Sequence, residues 1–292
     1  MAILSFDVGG SSIKYGVVLS DGTLTEKGKV KTPDSIEAFY DAVVAIRKAC
    51  PVEVEGAGFS FPGAVDFEHG TIGGDSAVRY IHKFPIVKAL SERLGMCVSM
   101  ENDANCAGLG ECAWGAGKGF DNVIFIVIGT GIGGAVILDH KIYRGNHFHG
   151  GEFGYMIMNP EMEILSNTGS TRALVERVAK AKGVDAASLD GEKVFAMADA
   201  GDGVANREVE VMCEYLAKAI FNLQYAIDPD VVLLGGGVSA RPDIVPKVQA
   251  HVDAILEKEE MAHIRPIVRA CEAGNDANLL GAAAFFRQVY LA

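Results

Sequence analysis

The sequence predicts an α/β protein built from two related lobes. Residues 3–30 and residues 122–143 show the same order of elements: an apolar strand, a glycine-rich turn, a second strand, a tight turn and a third strand. Amphipathic helical patterns stand between and after these segments, and the longest covers residues 208–227. A chain of 292 residues is long enough for two lobes of ordinary domain size.

The first strand, residues 3–6, runs into a glycine-rich turn at residues 7–12, and a second strand follows at residues 13–19. A Walker or Rossmann loop would open a helix at this point, so the turn belongs to neither class. Its backbone N–H groups, hydroxyls and one ammonium group suit phosphate oxygens, and Asp7 is placed for a hydrated Mg²⁺. A plain hairpin turn explains the same glycines equally well. The phosphate-binding candidates are Gly9, Gly10, Ser11, Ser12 and Lys14.

The next stretch predicts sheet-covering structure and a second glycine turn. A helical pattern runs through residues 36–46, with Asp34 or Ser35 as its cap. The strand after it leads to a turn in which Gly63 would let a ligand approach the backbone closely. Residues 70–83 are polar and irregular, which is typical of a loop beside a cleft.

The most concentrated polar cluster, residues 101–105, follows a strand at residues 96–100. A carboxylate at a strand-to-helix junction lies at the edge of a sheet, where it can accept a proton from a bound hydroxyl. Asp103 is therefore the candidate general base, and Asn102 beside it can give and accept hydrogen bonds to a polyol. The alternative is that Asn102 and Asp103 only cap a helix beginning near Asn105, because both residue types are strong N-caps.

That helix ends in a glycine-rich stretch at residues 115–119, the candidate hinge between the lobes. A strand at residues 122–128 then leads to a Gly-x-Gly-x-x-Gly string that matches a dinucleotide fingerprint. A strand at residues 135–138 follows the string where a helix is required, so the context argues against a Rossmann fold. Two copies of strand, phosphate turn and strand instead predict two lobes that grip one polyphosphate. The candidates in the second turn are Gly129, Thr130, Gly131 and Gly133.

Residues 144–151 form a loop that holds two histidines, His147 and His149. Together with a nearby glutamate they have the chemistry of a metal site, although solvent-exposed loop histidines are the commoner case. The glutamate itself, Glu152, is flanked by glycines. It either accepts hydrogen bonds from ligand hydroxyls or is an ordinary surface carboxylate.

The C-terminal half alternates helices with short strands. A strand at residues 231–234 runs into three glycines, and helices are predicted at residues 243–257 and from about residue 274. Gly235 and Gly236 permit the close approach of a flat ring or a ribose, although a tight turn needs only one of these glycines.

The composition excludes several classes of partner. Lys and Arg total 26 against 38 Asp and Glu, and the formal charge of −12 argues against a duplex-binding surface and a polybasic membrane contact. No apolar run approaches the ~20 residues that a membrane span requires. The six cysteines form no Cys-x-x-Cys pair, and no signal peptide precedes the first apolar run. We therefore expect reduced thiols, a cytoplasmic location and no nucleic-acid partner.

Taken together, these motifs resemble the ROK family of sugar kinases, in the actin-like and hexokinase-like ATPase superfamily. The resemblance implies a two-lobed actin-like (ribonuclease H-like) α/β fold with the active-site cleft between the lobes. It implies a small lobe of residues 1–115 plus about 275–292 and a large lobe of residues 116–274. The stretches that carry it follow the family's order along the chain: residues 7–11, 62–66, 101–105, 129–134, 151–154, 234–237 and 275–284.

The resemblance also implies a reaction, transfer of the ATP γ-phosphate to the 6-hydroxyl of a hexose, with Mg²⁺. Asp103 would be the base on that hydroxyl. Gly63, Asn102 and Glu152 would be sugar ligands, and the three glycine-rich turns would surround MgATP. Tyr155 stands where the family has a sugar-contacting histidine. The family further suggests a homodimer.

Two departures from the family pattern limit what the resemblance implies. That histidine and a following cysteine-rich segment hold a structural zinc in most members, whereas residues 165–172 contain no cysteine. Thiolates supply most of the affinity of such a site, so we predict no zinc. The same change removes contacts to carbons 1 and 2 of the sugar, which leaves glucose-type hexoses, β-glucosides and N-acetylmannosamine all open as substrates.

The rival function is a sugar-sensing regulator of the same family, which would carry a helix-turn-helix before the sugar-binding lobes. The first strand begins at residue 3, and the charge is wrong for DNA, so this alternative is disfavoured. A catalytically silent sugar sensor remains as the second hypothesis.

Overall fold

The computed structural model describes residues 1–291 and divides into two compact units. The first unit comprises Met1–Gly119, His140–Gly150 and the C-terminal segment from Asn275. The second unit comprises Phe120–Asp139 and Gly151–Gly274.

The first unit is built on a five-stranded sheet with the order β3-β2-β1-β4-β7. Strand β1 is antiparallel to β2 and parallel to β4, and β4 is parallel to β7. A small antiparallel pair, β5 and β6, follows β4. The strands are β1 Ile3–Val8, β2 Ser12–Val18, β3 Leu24–Lys31, β4 Gly56–Phe61, β5 Ala64–Asp66, β6 Thr71–Gly73 and β7 Cys97–Asn102.

Four helices accompany this sheet: α1 Ile36–Ala49, α2 Ile86–Leu94, α3 Asp103–Trp114 and, near the C-terminus, α9 Ala277–Tyr290. The predicted cap of α1 is confirmed, since the Ser35 hydroxyl accepts a hydrogen bond from the backbone N–H of Ala38. Residues 70–83 are not wholly irregular, because they include β6 and a 3₁₀ turn at Arg79–Ile81. Helix α3 begins at Asp103, earlier than predicted.

The core of the first unit is aromatic on one face of its sheet. Phe59 stacks between Phe6 and Phe61, with ring centroids 4.6 and 5.4 Å apart. On another side α9 packs directly against α3 through glycines: a methyl group on Gly281 would collide with the Cys106 backbone. This close approach sets the depth of α9 in the unit.

The second unit repeats the sheet topology with the order β10-β9-β8-β11-β12. Strand β8 is antiparallel to β9 and parallel to β11, which is parallel to β12. The strands are β8 Val123–Ile128, β9 Ile132–Leu138, β10 Lys141–Ile142, β11 Val231–Gly235 and β12 Val268–Ala270. The repeated order confirms the predicted α/β class. Strand β9 starts before residue 135, so Gly133 and Gly134 lie in a strand, not in the turn as predicted.

The helices of the second unit are α4 Leu165–Thr168, α5 Thr171–Lys182, α6 Gly191–Asp199, α7 Gly203–Ile227 and α8 Ile244–Leu256. Helix α7 is longer at its start than predicted because the Asp202 carboxylate caps it, accepting from the N–H groups of Val204 and Ala205. It ends as predicted at Asp228, which adopts a left-handed conformation with φ of 57°. The 3₁₀ turns are Phe153–Tyr155, Ala186–Ser188, Gly237–Ala240 and Gly274–Asp276.

Within residues 1–291, no helix combines the length and the apolar character that a membrane crossing would require.

Candidate active site

Polar side chains form a row across the carboxyl ends of the parallel strands in the first unit. Asp7, Ser60 and Glu101 are register partners on β1, β4 and β7. The Ser60 hydroxyl donates to Asp7 Oδ1 at 3.0 Å, and Lys14 Nζ lies 3.6 Å from Asp7 Oδ2. This edge of an open parallel sheet is where α/β proteins bind ligands.

The turn between β1 and β2 is closed by its own backbone and held by Thr32, the residue after β3. Gly9 N–H donates to Ser12 O at 3.0 Å, and Thr32 donates its hydroxyl to Gly9 O at 2.5 Å. Gly10 and Ser11 are exposed at the tip. A methyl group on Gly10 would lie 2.6 Å from Ala77 Cβ, so this position requires glycine for space.

Asn102, not Asp103, is the cap of helix α3. Its backbone is extended, with φ of −61° and ψ of 149°, and its Oδ1 accepts from the N–H groups of Ala104 at 2.9 Å and Asn105 at 3.2 Å. Its Nδ2 donates to Gly63 O at 3.0 Å, so two predicted sugar ligands lie together. Asp103 is the first helical residue and its side chain is exposed, with Oδ1 accepting from Ala104 N–H at 2.9 Å. The capping function therefore belongs to its neighbour.

Gly63 occupies a position that only glycine fits well. Its φ is +104°, in the left-handed region, and an added Cβ would lie 3.0 Å from His82 Cε1. His82 is held in turn, since its Nδ1 lies 3.2 Å from Gly73 O and its Nε2 lies 2.7 Å from Ser76 Oγ. The turn is thus backed by a fixed imidazole.

An ion pair joins the buried Glu101, the first residue of the polar cluster, to the partly buried Arg144, and no sequence motif predicts it. Glu101 is fully buried, and its Oε1 accepts from Asn102 N–H at 2.8 Å and from Asn105 Nδ2 at 3.0 Å. Its Oε2 accepts from Arg144 Nε at 2.8 Å and also from Arg144 Nη2. Arg144 O accepts from Gly150 N–H at 2.8 Å, which closes the loop that precedes Gly151 and Glu152 in the chain. No local pattern linked residues 43 positions apart.

The same region contains a buried thiol. Burial raises the pKa of Cys106 well above its usual value, and the negative charges of Glu101, Asp7 and Asp103 raise it further. Cys106 is thus a protonated thiol at neutral pH, without the thiolate character of a nucleophile.

The matching turn of the second unit, residues 129–131, is held by α5. Gly129 N–H donates to Gly131 O at 2.9 Å, and Thr171 N–H donates to Gly129 O at 2.9 Å. Thr130 and Gly131 are exposed. Gly236, after β11, has φ of +91° and packs against Ile128 O so closely that no side chain fits.

A groove of about 940 Å³ opens beside this turn, wholly within the second unit. Its apolar wall is formed by Val175, Leu189, Phe195 and Val238, and Gly129, Thr130 and Gly237 also line it. At its rim Arg241 stands over the Phe195 ring and donates to both carboxylate oxygens of Asp199, at 3.0 and 2.7 Å. These hydrogen bonds lower the pKa of Asp199.

Glu152 and Tyr155 belong to the second unit, and both are exposed, with Tyr155 at 70%. After them an isolated antiparallel bridge joins Ile157 to Ile164. Asn159 and Glu163 brace this turn, since Asn159 Nδ2 donates to Glu163 Oε2 at 2.6 Å and Glu163 N–H donates to Asn159 Oδ1 at 3.0 Å.

One of the two loop histidines contacts the backbone of the other. His149 Nδ1 lies 2.6 Å from His147 O, so that ring is engaged by its own loop. In residues 1–291 no group of three or more His, Cys, Asp or Glu side chains is arranged to hold a metal ion.

The donors present fit a hydrated Mg²⁺ and a nucleotide. Asp7 offers carboxylate oxygen beside a tip at which Gly10 and Ser11 are exposed, and hard cations prefer oxygen ligands. Close-packed glycines and an apolar wall in the second unit suit a phosphate chain and a flat base.

Comparison with protein families matches residues 3–289 to the ROK family, and the chain belongs to that family. It is 34% identical to a β-glucoside kinase from Klebsiella pneumoniae over 297 residues, covering 99% of this chain and 97% of the relative. A ROK family protein from Streptococcus pneumoniae, solved in complex with sucrose, matches with a TM-score of 0.91 at 36% identity over 99% of both chains. A ROK family glucokinase from Streptomyces griseus, in complex with glucose and AMPPNP, gives 0.79 at 28% identity over 99% and 100%. The predicted actin-like ATPase fold is confirmed.

Proposed function

We propose that this protein is an ATP-dependent sugar kinase that transfers the γ-phosphate of ATP to the 6-hydroxyl of a hexose, with Asp103 as general base. The family membership and the kinase relatives support the class of reaction. The substrate, the base and the position of phosphorylation are inferred from the residues of the site.

One observation carries the assignment of the base. Asn102 makes both hydrogen bonds that cap α3, and the Asp103 carboxylate is exposed beside it at the edge of the sheet. A residue needed only as a cap would duplicate a function already filled. An exposed carboxylate next to two sugar-ligand candidates is placed to accept a hydroxyl proton.

The remaining candidate residues would bind and orient the sugar and the nucleotide. Asn102, Gly63, Glu152 and Tyr155 would contact the sugar, while the turns at residues 9–12 and 129–131 would receive phosphate oxygens through backbone N–H groups. Asp7 would hold Mg²⁺ through water, and the metal would neutralise charge on the phosphates. Gly235, Gly236 and the groove beside them would hold the nucleoside. Phosphoryl transfer needs little from the protein beyond this positioning and charge stabilisation.

The sugar is the open part of the proposal, and Tyr155 guides it. A tyrosine in place of a sugar-contacting histidine keeps one polar tip but adds an aromatic face, so contact with the hydroxyls at carbons 1 and 2 is looser. A pocket built to bond one hydroxyl rejects analogues lacking it by ~10⁴, whereas a roomy pocket discriminates by only ~10–200-fold. We therefore propose that a β-glucoside or N-acetylmannosamine is phosphorylated with kcat/KM at least equal to that for glucose.

A coupled ADP-release assay tests the proposal across glucose, mannose, N-acetylmannosamine, N-acetylglucosamine and cellobiose. We expect sugar-dependent ADP release with Mg²⁺, and the highest kcat/KM on a sugar substituted at carbon 1 or 2. A thousandfold preference for unsubstituted glucose would overturn the argument from Tyr155. Sugar binding without ADP release on any hexose would favour the second hypothesis, a catalytically silent sugar sensor.

Three further expectations belong to the same proposal. The protein would act as a homodimer in the cytoplasm, with the glycine-rich stretch at residues 115–119 as the hinge between a small and a large lobe. Sedimentation equilibrium tests the first of these directly.

A further inference from the structure

Asn278, in the first turn of α9, forms hydrogen bonds with Ser60 on β4 and with Asp103, the first residue of α3. Its Nδ2 donates to Ser60 Oγ at 3.1 Å and to the backbone carbonyl of Asp103 at 3.3 Å. Ser60 Oγ donates onward to Asp7 Oδ1 at 3.0 Å. One side-chain amide therefore joins the residue proposed to hold Mg²⁺ to the residue proposed as base.

Ser60 is placed for this role by the sheet. It lies on β4, the strand between β1 and β7, with Asp7 and Glu101 as its register partners, and it is fully buried. A hydroxyl that donates its one hydrogen to a carboxylate can also accept a hydrogen bond through its oxygen, and this second bond fixes its rotamer. Asn278 supplies the donor of that bond.

The position of α9, the helix that carries Asn278, is fixed by close contacts with α3. An added methyl group on Gly281 would collide with the Cys106 carbonyl, and one on Gly110 with the Ala277 carbonyl. Helices α9 and α3 thus meet backbone to backbone one turn from Asn278. Because interiors are close-packed, a shift of either helix would move the amide away from Ser60 and Asp103.

We infer that Asn278 is a positioning residue for phosphoryl transfer, which acts on Asp7 through Ser60 and on Asp103 through its backbone carbonyl and so sets the spacing of these two residues. The inference rests on the proposed kinase function. Neither Asn278 nor Ser60 needs to touch the sugar, so their loss should reduce kcat and the affinity for the divalent ion while leaving sugar binding nearly intact.

The experiment compares Asn278→Ala, Asn278→Asp, Ser60→Ala and the double variant Ser60→Ala/Asn278→Ala with the wild type. Gln288→Ala is the matched control, since the Gln288 amide makes the same kind of contact, to His140 O at 2.8 Å, at the far end of α9. Steady-state assays give kcat and KM for sugar and Mg²⁺. Electron paramagnetic resonance of Mn²⁺ in the presence of ADP gives ion affinity without turnover.

For Asn278→Ala we expect kcat to fall about 10- to 100-fold, because small displacements of positioned groups are costly, while KM for the sugar changes less than about threefold. Mn²⁺ affinity should fall about 3- to 10-fold, as for loss of an outer-shell partner. Asn278→Asp should be at least as impaired, because it replaces the donor by an acceptor. The double variant should be less impaired than the product of the two single losses, since both residues act on Asp7 through one chain of hydrogen bonds.

The inference is overturned if Asn278→Ala stays within twofold of the wild type in kcat and Mn²⁺ affinity, or if the effects of Ser60→Ala and Asn278→Ala multiply. It is also overturned if Gln288→Ala, with an equal change in melting temperature, reproduces the loss. A wild type that phosphorylates no sugar would refute the proposed function instead, and the Mn²⁺ measurement would still decide whether Asn278 acts on the Asp7 site.

Discussion

The two units share one sheet topology, but the residues across each sheet beside its glycine turn differ in chemistry. In the first, the row across the sheet at the glycine turn reads Lys14, Asp7, Ser60 and Glu101. In the second, the corresponding row reads Gly133, Val127 and Gly235. One row is charged and polar, and the other has almost no side chains at all.

The turns differ in the same sense. Val8 pairs with Ile13 across residues 9–12, whereas Ile128 pairs with Ile132 across the shorter stretch 129–131. The first turn has two serine hydroxyls and is followed closely by a lysine, whereas the second has one threonine hydroxyl between two glycines and no lysine close after it. Duplication of a unit therefore predicts a shared fold but not a shared role. The first unit would supply charge to the reaction, and the second would bring backbone close to the nucleotide.

The largest effect that this comparison predicts is on Asp103. Asp103→Asn should lower kcat by ~10²–10⁴ with only modest weakening of sugar binding, because the amide keeps the shape but loses basicity. The matched control is Asp202→Asn, which changes an aspartate at the start of a helix in the second unit to another good cap. Steady-state kinetics measure kcat, and isothermal titration calorimetry measures the affinity for the sugar. If Asp103→Asn stayed within a few-fold of wild type, Asp103 would leave the mechanism.

A smaller effect is expected for substitutions in the two rows of residues that cross the sheets, where Asp7 and Val127 occupy corresponding positions. Asp7→Asn should lower kcat/KM by about 10- to 100-fold and raise the Mg²⁺ concentration needed for half-maximal rate, since Asp7 would hold the ion through water. Val127→Ala, at the corresponding place in the second unit, should change kcat by less than about threefold. Titration of Mg²⁺ against rate checks both. Equal losses of kcat/KM in Asp7→Asn and Val127→Ala would contradict the proposed difference between the two units.

The second turn should respond through nucleotide affinity. An added Cβ at Gly131 meets only Ser166 Oγ, at 3.5 Å, so Gly131→Ala should fold normally. Its methyl group would crowd the approach of a phosphate, and we expect KM for ATP to rise about 5- to 20-fold with kcat little changed. Gly203→Ala, which also has open space around it, should leave KM for ATP unchanged. A drop in kcat alone would assign the turn a different role.

The smallest expected effect is that of zinc removal. The segment after Tyr155 is braced by Asn159 and Glu163 and has none of the family's cysteines. We expect substoichiometric zinc by elemental analysis, and activity that survives a chelator once excess Mg²⁺ is restored. Stoichiometric zinc would instead mean that His147, His149 and a nearby acid form a metal site.

The fold was largely predictable because its signals are local. Alternating apolar runs and glycine turns located most strands, and helix α8, at Ile244–Leu256, lies within one residue of its predicted bounds of 243–257 at each end. The predicted strand bounds are wrong where glycine, which is common in turns, lies within a strand. Gly133 and Gly134 read as a turn, yet their pairing with Val127 and Ile126 places them in β9.

The candidate site was predictable where its residues lie in one motif and obscure where it depends on distant contacts. Asn102 and Asp103 were singled out together, but only the hydrogen bonds separate the cap from the exposed carboxylate. Arg144 gave no signal, because a lone arginine in a polar loop reads as surface. Its partner Glu101 lies on a strand far earlier in the chain, and only folding brings the two together.

The most direct test of the central claim identifies the product itself. Wild-type protein, Mg²⁺, ATP and the best hexose from the substrate panel are incubated together, and the mixture is analysed by ³¹P–¹H correlation NMR. We expect a new sugar phosphate whose phosphorus correlates with the two protons on carbon 6, formed in step with ADP and formed far more slowly by Asp103→Asn. Phosphate attached at another carbon, or ADP formed with inorganic phosphate and no sugar phosphate, would contradict this expectation.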